Sequence, residues 1–453
     1  MMFRLGLGAL LATATLPVQA ADTNAEIHRA WAAGYRAAFT CSSLWNGSGK
    51  TLADIERDEL TGIYSEIEPD VRALKAEVDD KAKRVSVRYR DDRPPRIAEW
   101  NAREGCITLP IGAQAGPPSR TVPAPRPNLD HQNWPLGDRY IRVGMPAGLS
   151  PFTEVSMDRE SFGGRTSSLL IVKDGRIVAE WYQPGHGPHT AQRTFSVAKS
   201  MAATLIGHAA FKRQIDVTKA AMIAEWQTPG DPRVAITTEQ LMRMASGLTS
   251  DTAGNRTDAI YMGGASVRQW TTQWPLLNVP NTRYRYANND TMLAILSLKA
   301  AQAKAGEAPD PAAFFDRIGM TRTFAEHDKD GDYILSSQVW TTARDLARLG
   351  LLYQRDGEWN GERLLPKDWR SFVTTPSGPQ PDGPFGYGAG FWLFNKSDGI
   401  PADAFGAFGN RGQYLVIVPS RRLVIVRQGY DDDKNRLDIA ALVKAIIAAD
   451  DRG

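Results

Sequence analysis

Cysteine is nearly absent: 453 residues hold two, Cys41 and Cys106. Two sulfurs with no histidine nearby do not complete a tetrahedral set, so a metal site built on them is excluded. No sign of charge dominates either. Lys and Arg number 54 against 51 Asp and Glu, a net charge of +3, and without a dense basic run nucleic acid is not an implied partner. Past the N-terminus, no stretch is long and apolar enough to cross a bilayer. Gly-x-Ser-x-Gly is missing, which removes the nucleophile elbow of the Ser-His-Asp hydrolases. Gly47-Ser48-Gly49-Lys50-Thr51 ends like a phosphate-binding loop, but Leu44 stands where the first glycine belongs, so Asn46 to Lys50 reads as a turn. Asp328-Lys329-Asp330-Gly331-Asp332 lacks the calcium-loop glutamate, with Val339 at that position. His186-Gly187-Pro188-His189 is broken by glycine and proline. Both segments are expected to be solvated turns.

What is present begins with an export signal. Met1 to Arg4 carries a positive charge, Leu5 to Val18 is apolar, and Val18-Gln19-Ala20 is a small-residue cleavage site. Residues 1–20 are therefore expected to be removed, leaving a periplasmic or secreted protein with no membrane span. In that setting the two cysteines are expected to form one disulfide.

Residues 21–110 form a small α+β unit: helical spacing over 27–40 and 54–67, strand alternation over 83–89, and a shorter strand over 96–100. A proline-rich linker or strap (111–137) separates it from the main unit, 138–453. There, the apolar runs 167–172 and 177–182 flank Asp174-Gly175, a β-hairpin signal. Helices follow at 291–303 and 342–355, with a short one capped by Thr237 or Thr238 and ended by Gly247. Strand character returns at 390–394, 413–418 and 422–427, before a final helix at 437–449. Strands at both ends and helices between them predict an α/β (α+β) architecture: one antiparallel sheet flanked by helices, with an inserted, mainly helical subdomain.

The chain is organised around Arg193-Thr194-Phe195-Ser196-Val197-Ala198-Lys199, which leads into a helix-favouring run. Ser196 is expected at the helix N-terminus, with Lys199 one turn along on the same face. This is the single Ser-x-x-Lys of the sequence, a spacing at which an amine can serve as base to a serine nucleophile. The residues after Lys199 are small or apolar nearly all round, so the lysine is buried and needs a reason to be there. The other reading is a capping serine beside a lysine that reaches water.

A second motif, Tyr286-Ala287-Asn288, stands before the 291–303 helix. With both motifs in this order, residues 150 to 445 resemble the serine β-lactamase-like hydrolases, which include class C β-lactamases, D-alanyl-D-alanine carboxypeptidases, family VIII esterases and 6-aminohexanoate-dimer hydrolases. Leu241 to Leu248 resembles the family's Leu-Leu-x-Met-x-Ser-Gly-Leu segment. The third motif departs: Ala407-Phe408-Gly409, leading into Asn410-Arg411-Gly412-Gln413, has no lysine for a β-lactam carboxylate. This looks more like the 6-aminohexanoate-dimer hydrolase branch.

The resemblance implies a β-lactamase/transpeptidase-like fold and an acyl-enzyme on Ser196, with Lys199 and Tyr286 as bases and Asn288 in support. The oxyanion hole would be the backbone N–H groups of Ser196 and Asn410. No cofactor or metal is called for, and the partner is a small ester or amide. A carboxypeptidase, a β-lactamase or a non-catalytic binding protein on the same fold are the alternatives. Pocket walls are expected from the 251–265 and 375–387 loops. Oligomeric state is not readable.

Overall fold

The structure is a computed structural model that describes residues 16–47, 49–116, 126–139, 162–249 and 257–451. Most of the expected leader lies outside them, as do 117–125 of the linker and 251–256 of one expected wall loop. A helix over Leu16–Trp45 runs through the expected cleavage point. Its small residues Ala30, Ala33, Ala37 and Cys41 repeat at helical spacing and are buried. That face packs on an antiparallel meander of β1 (Ala76–Asp79), β2 (Arg84–Val87), β3 (Arg96–Asn101) and β4 (Gly105–Thr108). The Cys41–Cys106 disulfide, with Cα atoms 6.2 Å apart, ties the helix to β4.

The helix expected over 54–67 is shorter, Leu52–Asp58. Thr51 and Asp54 form a capping box at its start, and Gly62 at φ +68° turns the chain a few residues past its end.

In the main unit β5 (Thr166–Lys173) and β6 (Arg176–Tyr182) form the expected hairpin. Asp174 and Gly175 take φ of 52° and 78°, the left-handed pair that a two-residue hairpin turn requires. A small sheet joins β7 (Gln192–Arg193), β8 (Phe324–Ala325) and β9 (Val339–Thr341), and β10 (Glu358–Trp359) pairs with β11 (Glu362–Arg363). The remaining strands are β12 (Gly386–Tyr387), β13 (Trp392–Leu393), β14 (Phe405–Gly409), β15 (Gln413–Val418) and β16 (Leu423–Gly429). They extend the hairpin into a seven-stranded antiparallel sheet, β12-β13-β14-β15-β16-β5-β6. The two ends of the unit thus share one sheet around the intervening helices.

Along β5, β15 and β16, alternate residues face opposite sides. Leu170, Val172, Leu415, Ile417, Val424 and Val426 join the main core, against which the Ala343–Gln354 helix lies. Leu169, Ile171, Val416, Val418, Leu423 and Ile425 meet Leu442, Val443 and Ile446 of the Ile439–Asp450 helix. Both faces are covered, so these strands read as continuous apolar runs.

Other boundaries moved for local reasons. The helix capped by Thr237 ends at Met242, before Gly247, because Met244 already takes φ +59°. The helix expected from Thr291 starts at Asn288, and the 390–394 strand contracts to Trp392–Leu393. Of the two expected solvated turns, His186–His189 is half-buried with His189 exposed, whereas in 328–332 Lys329 and Asp330 are exposed but Asp328 and Asp332 are buried. Asp328 accepts backbone N–H bonds from Val267, Asp330 and Asp332, and Asp332 pairs with Lys299. Burial also drives the His186 imidazole down to about 4. Among the described residues no helix is long and apolar enough to cross a membrane.

The N-terminal unit is joined to the main unit by buried polar contacts. Glu326 accepts from Ser42 at 2.5 Å, from Asn46 at 2.9 Å and from the Cys106 N–H at 3.2 Å. Arg96 donates to the carbonyls of Met262 and Gly263. Arg126, on the strap, donates to Asp316 and to the carbonyls of Met320 and Thr323.

Candidate active site

Ser196 lies on a 3₁₀ turn, Phe195–Val197, that feeds the Ala198–Phe211 helix. It does not cap that helix with its side chain. Phe195, directly before it, holds φ +48°, a strained value for a bulky residue. The Arg193 guanidinium braces that position, 4.3 Å from the Phe195 ring and 4.5 Å from Phe39 of the N-terminal unit.

Lys199, one turn on, is buried. Its Nζ stands 3.1 Å from Ser196 Oγ, 2.5 Å from Asn288 Oδ1 and 2.9 Å from the Ser336 carbonyl. Ala202, Ala203, Ile206, Met242 and Ala294 line the space beside it. Burial, seconded by the positive charge of Arg193, lowers the amine to about 7.

Tyr286 lies over the same amine, its ring centre 4.9 Å from Lys199 Nζ. Burial pushes its hydroxyl well above the ordinary 10, although hydrogen bonds with Ser196 and Trp392 pull the other way. Tyr387 and Trp392 pack on the ring. Asn288 opens the Asn288–Lys304 helix, so a helix start aims its side chain at Lys199. Two residues on, burial raises the Asp290 carboxyl to about 7 despite its hydrogen bond with Ser246, which ties the 241–248 segment to the same helix.

The third strand, β14, ends against the nucleophile. A Cβ on Gly409 would lie 2.2 Å from the Thr194 carbonyl oxygen and 3.3 Å from Ser196 N, an approach open only to glycine. Asn410 comes next, and Arg411 follows at φ +56°. Several bonds fix this turn. Arg427 donates to the Gly412 carbonyl at 2.8 Å, Gln413 Nε2 to the Arg411 carbonyl at 3.1 Å, and Asp431 N–H to the same carbonyl at 3.1 Å. Arg411 itself donates to the Asp58 and Thr61 carbonyls, both at 2.8 Å.

Ser196, Tyr286, Asn288 and Asn410 open together on a cavity of about 490 Å³. Its walls differ from those expected. Among the described residues of the 251–265 loop only Tyr261 lines it, and of the 375–387 loop no described residue does. Tyr35 and Gly62–Tyr64 of the N-terminal unit and Asp431–Asp433 take their place. The family model described as Beta-lactamase matches residues 160–428, more than half of the chain. The chain belongs to the beta-lactamase family.

Solved structures bear out the family fold. A Bacillus anthracis protein described as a 6-aminohexanoate-dimer hydrolase matches at TM-score 0.53 and 21% identity, over 63% of this chain and 79% of its own. A family VIII carboxylesterase matches at TM-score 0.53 and 17% identity, over 69% of this chain and 100% of its own. A Bacteroides dorei protein described as a beta-lactamase matches at TM-score 0.51 and 17% identity, over 63% and 91%. No curated protein matches the chain. The fold and the hydrolase class follow from the family, and the N-terminal unit lies outside the matched residues.

Reading by motif missed three contributors in this family member. Ser336 acts through a backbone carbonyl, which leaves no mark in sequence. Arg193 stood beside the Ser-x-x-Lys motif, but its charge matters only because the fold buries it. Gly62–Tyr64 reach the cavity through contacts with no local signal. One group of metal-ligand type converges among the described residues, Asp130, Asp138 and His189. Arg322 already pairs with both carboxylates, at 2.7 and 2.9 Å, and Arg348 with Asp138 at 2.7 Å, so cations hold the acids.

Proposed function

We propose that the protein is an exported hydrolase that cleaves an ester or amide through an acyl-enzyme on Ser196. The observation that carries this reading is an amine 3.1 Å from the serine hydroxyl, in surroundings that bring it to about 7. At neutral pH much of Lys199 is then uncharged and can take the serine proton as Oγ attacks the carbonyl carbon. Tyr286 is not a base in this account. A phenol raised by burial stays protonated, so it relays a proton between Ser196 and the departing group. Lys199 is the source of the proton that leaves with the alcohol or amine. In the second half Lys199, neutral again, takes a proton from the attacking water and returns it to Ser196 Oγ as the bond between Oγ and the acyl carbon breaks, which releases the acid.

The N–H groups of Ser196 and Asn410 stabilise the oxyanion, supported by the close approach of Gly409 to Ser196 N. A β-lactam carboxylate finds no lysine on β14, and Arg411 is engaged by the Asp58 and Thr61 carbonyls. Small uncharged esters are therefore the expected substrates. Export rests on the leader and fits the disulfide.

A panel of p-nitrophenyl esters, short amides and a chromogenic cephalosporin, run on the wild type and on Ser196→Ala, tests the proposal. Ester turnover lost in the variant supports it. Cephalosporin turnover faster than ester turnover contradicts the substrate class, and ester turnover unaffected by Ser196→Ala contradicts the nucleophile.

A further inference from the structure

The cavity next to Ser196 is walled in part by a unit outside the family match. Ile63 and Tyr64 lie on the short link between the Leu52–Asp58 and Glu68–Ala73 helices, both half-buried. This link is a built surface. Gly62, at φ +68°, lets the chain pass close to Arg411, whose Nη2 lies 3.6 Å from where a Cβ would stand. Arg411 clamps the segment's carbonyls at Asp58 and Thr61. Glu68 accepts from the Ile63 N–H at 3.1 Å, and Tyr64 packs edge-on to Tyr35. One side chain thereby fixes the link and the turn that bears Asn410 relative to each other.

The chemistry of the lining decides what can rest there. Most charged groups on it are engaged: Asp431 pairs with Arg427 and Asp433 with Arg436, Arg411 donates to backbone carbonyls, and Asp432, at the exposed rim, accepts the Lys434 and Asn435 N–H groups. Ile63, Tyr64 and Tyr35 add an apolar and aromatic wall. From this juxtaposition we infer that the N-terminal unit completes the substrate site, with Ile63 and Tyr64 receiving an uncharged aliphatic or aryl group flanking the scissile carbonyl. The inference rests on the proposed Ser196 chemistry and adds the class of substrate that the site selects.

The experiment compares p-nitrophenyl acetate, hexanoate and phenylacetate on the intact wild type, Ile63→Ala, Tyr64→Ala and Tyr64→Phe. Every variant is also titrated with a fluorophosphonate to count competent sites. The ratio of kcat/KM for hexanoate or phenylacetate to that for acetate should fall about 10-fold in both alanine variants, through KM, and return in Tyr64→Phe. An unchanged ratio in both alanine variants, with Ser196 still labelled, overturns the inference and leaves the Ser196 reading standing. Absence of label at Ser196 in the wild type fails that reading, and this inference with it. Should one alanine variant not fold, the other carries the same ratio test.

Discussion

Protonation of Lys199 should set the acid limb of the pH profile. The unprotonated amine is the proposed base, and burial together with Arg193 brings it to about 7 from an ordinary 10.5. Disfavouring the charged form to that extent corresponds to on the order of 5 kcal/mol. Below pH 7, kcat/KM for a phenyl ester should fall about tenfold per pH unit, and above it the rate should level off. Arg193→Gln deletes the second cause and leaves burial in place, so the limb should rise by about one pH unit, ~1.4 kcal/mol, and not return to 10.5. Arg193→Lys keeps the charge and should hold the limb near its wild-type position, even though the stacking on Phe39 and Phe195 is lost. The same shift acts on stability. Between about 7 and 10.5 the unfolded chain binds a proton that the folded chain lacks, so the Lys199 contribution to stability rises with pH and is lost as pH falls through 7. Rates measured from pH 5 to 9 check this. A flat profile, or a limb that Arg193→Gln leaves in place, refutes the electrostatic argument.

Other outcomes follow from the same geometry. Ser196→Ala and Lys199→Ala should each remove nearly all ester turnover and the double variant little more, while Tyr286→Phe should lose at least ~100-fold; steady-state rates decide. Gly409→Ala puts a Cβ 2.2 Å from the Thr194 oxygen, and kcat should drop by about 100-fold as the Ser196 and Asn410 amides move apart, with KM changed less. Cys41 and Cys106 close a loop with a sequence separation of 65. Replacing both by serine should lower the unfolding free energy by ~3–5 kcal/mol in urea titrations. Equal stability would show that the bond does not restrain the unfolded chain.

How much of this was legible in the sequence depended on how local each feature is. The i, i+3 offset of Ser196 and Lys199 reads directly because a helical turn brings them together. The β5–β6 hairpin reads because Asp174-Gly175 supplies both left-handed residues. β15 matched its expected span, since the five apolar or aromatic residues after Gln413, bounded by turns, leave little else to form. Non-local pairing hid the rest. Lys50, expected in a turn, is buried against Glu59 and Tyr430, the latter 380 residues away. Asp328 and Asp332 looked solvated because their partners, Val267 N–H and Lys299, lie in distant elements. The cavity wall was assigned to the nearest long loops. Among the described residues only Tyr261 of those loops reaches it, and Gly62–Tyr64 contribute, next to the Asp58 and Thr61 carbonyls that accept from Arg411 across 353 and 350 residues.

The most direct test of the account maps the adduct of an activated-serine probe. Intact protein is treated with a fluorophosphonate at pH 8, digested, and the modified peptide identified by mass spectrometry, for the wild type and Lys199→Ala. The account predicts a single adduct on Ser196 in the wild type and almost none in Lys199→Ala. An adduct on another serine, or equal labelling of Ser196 without the lysine, would contradict it.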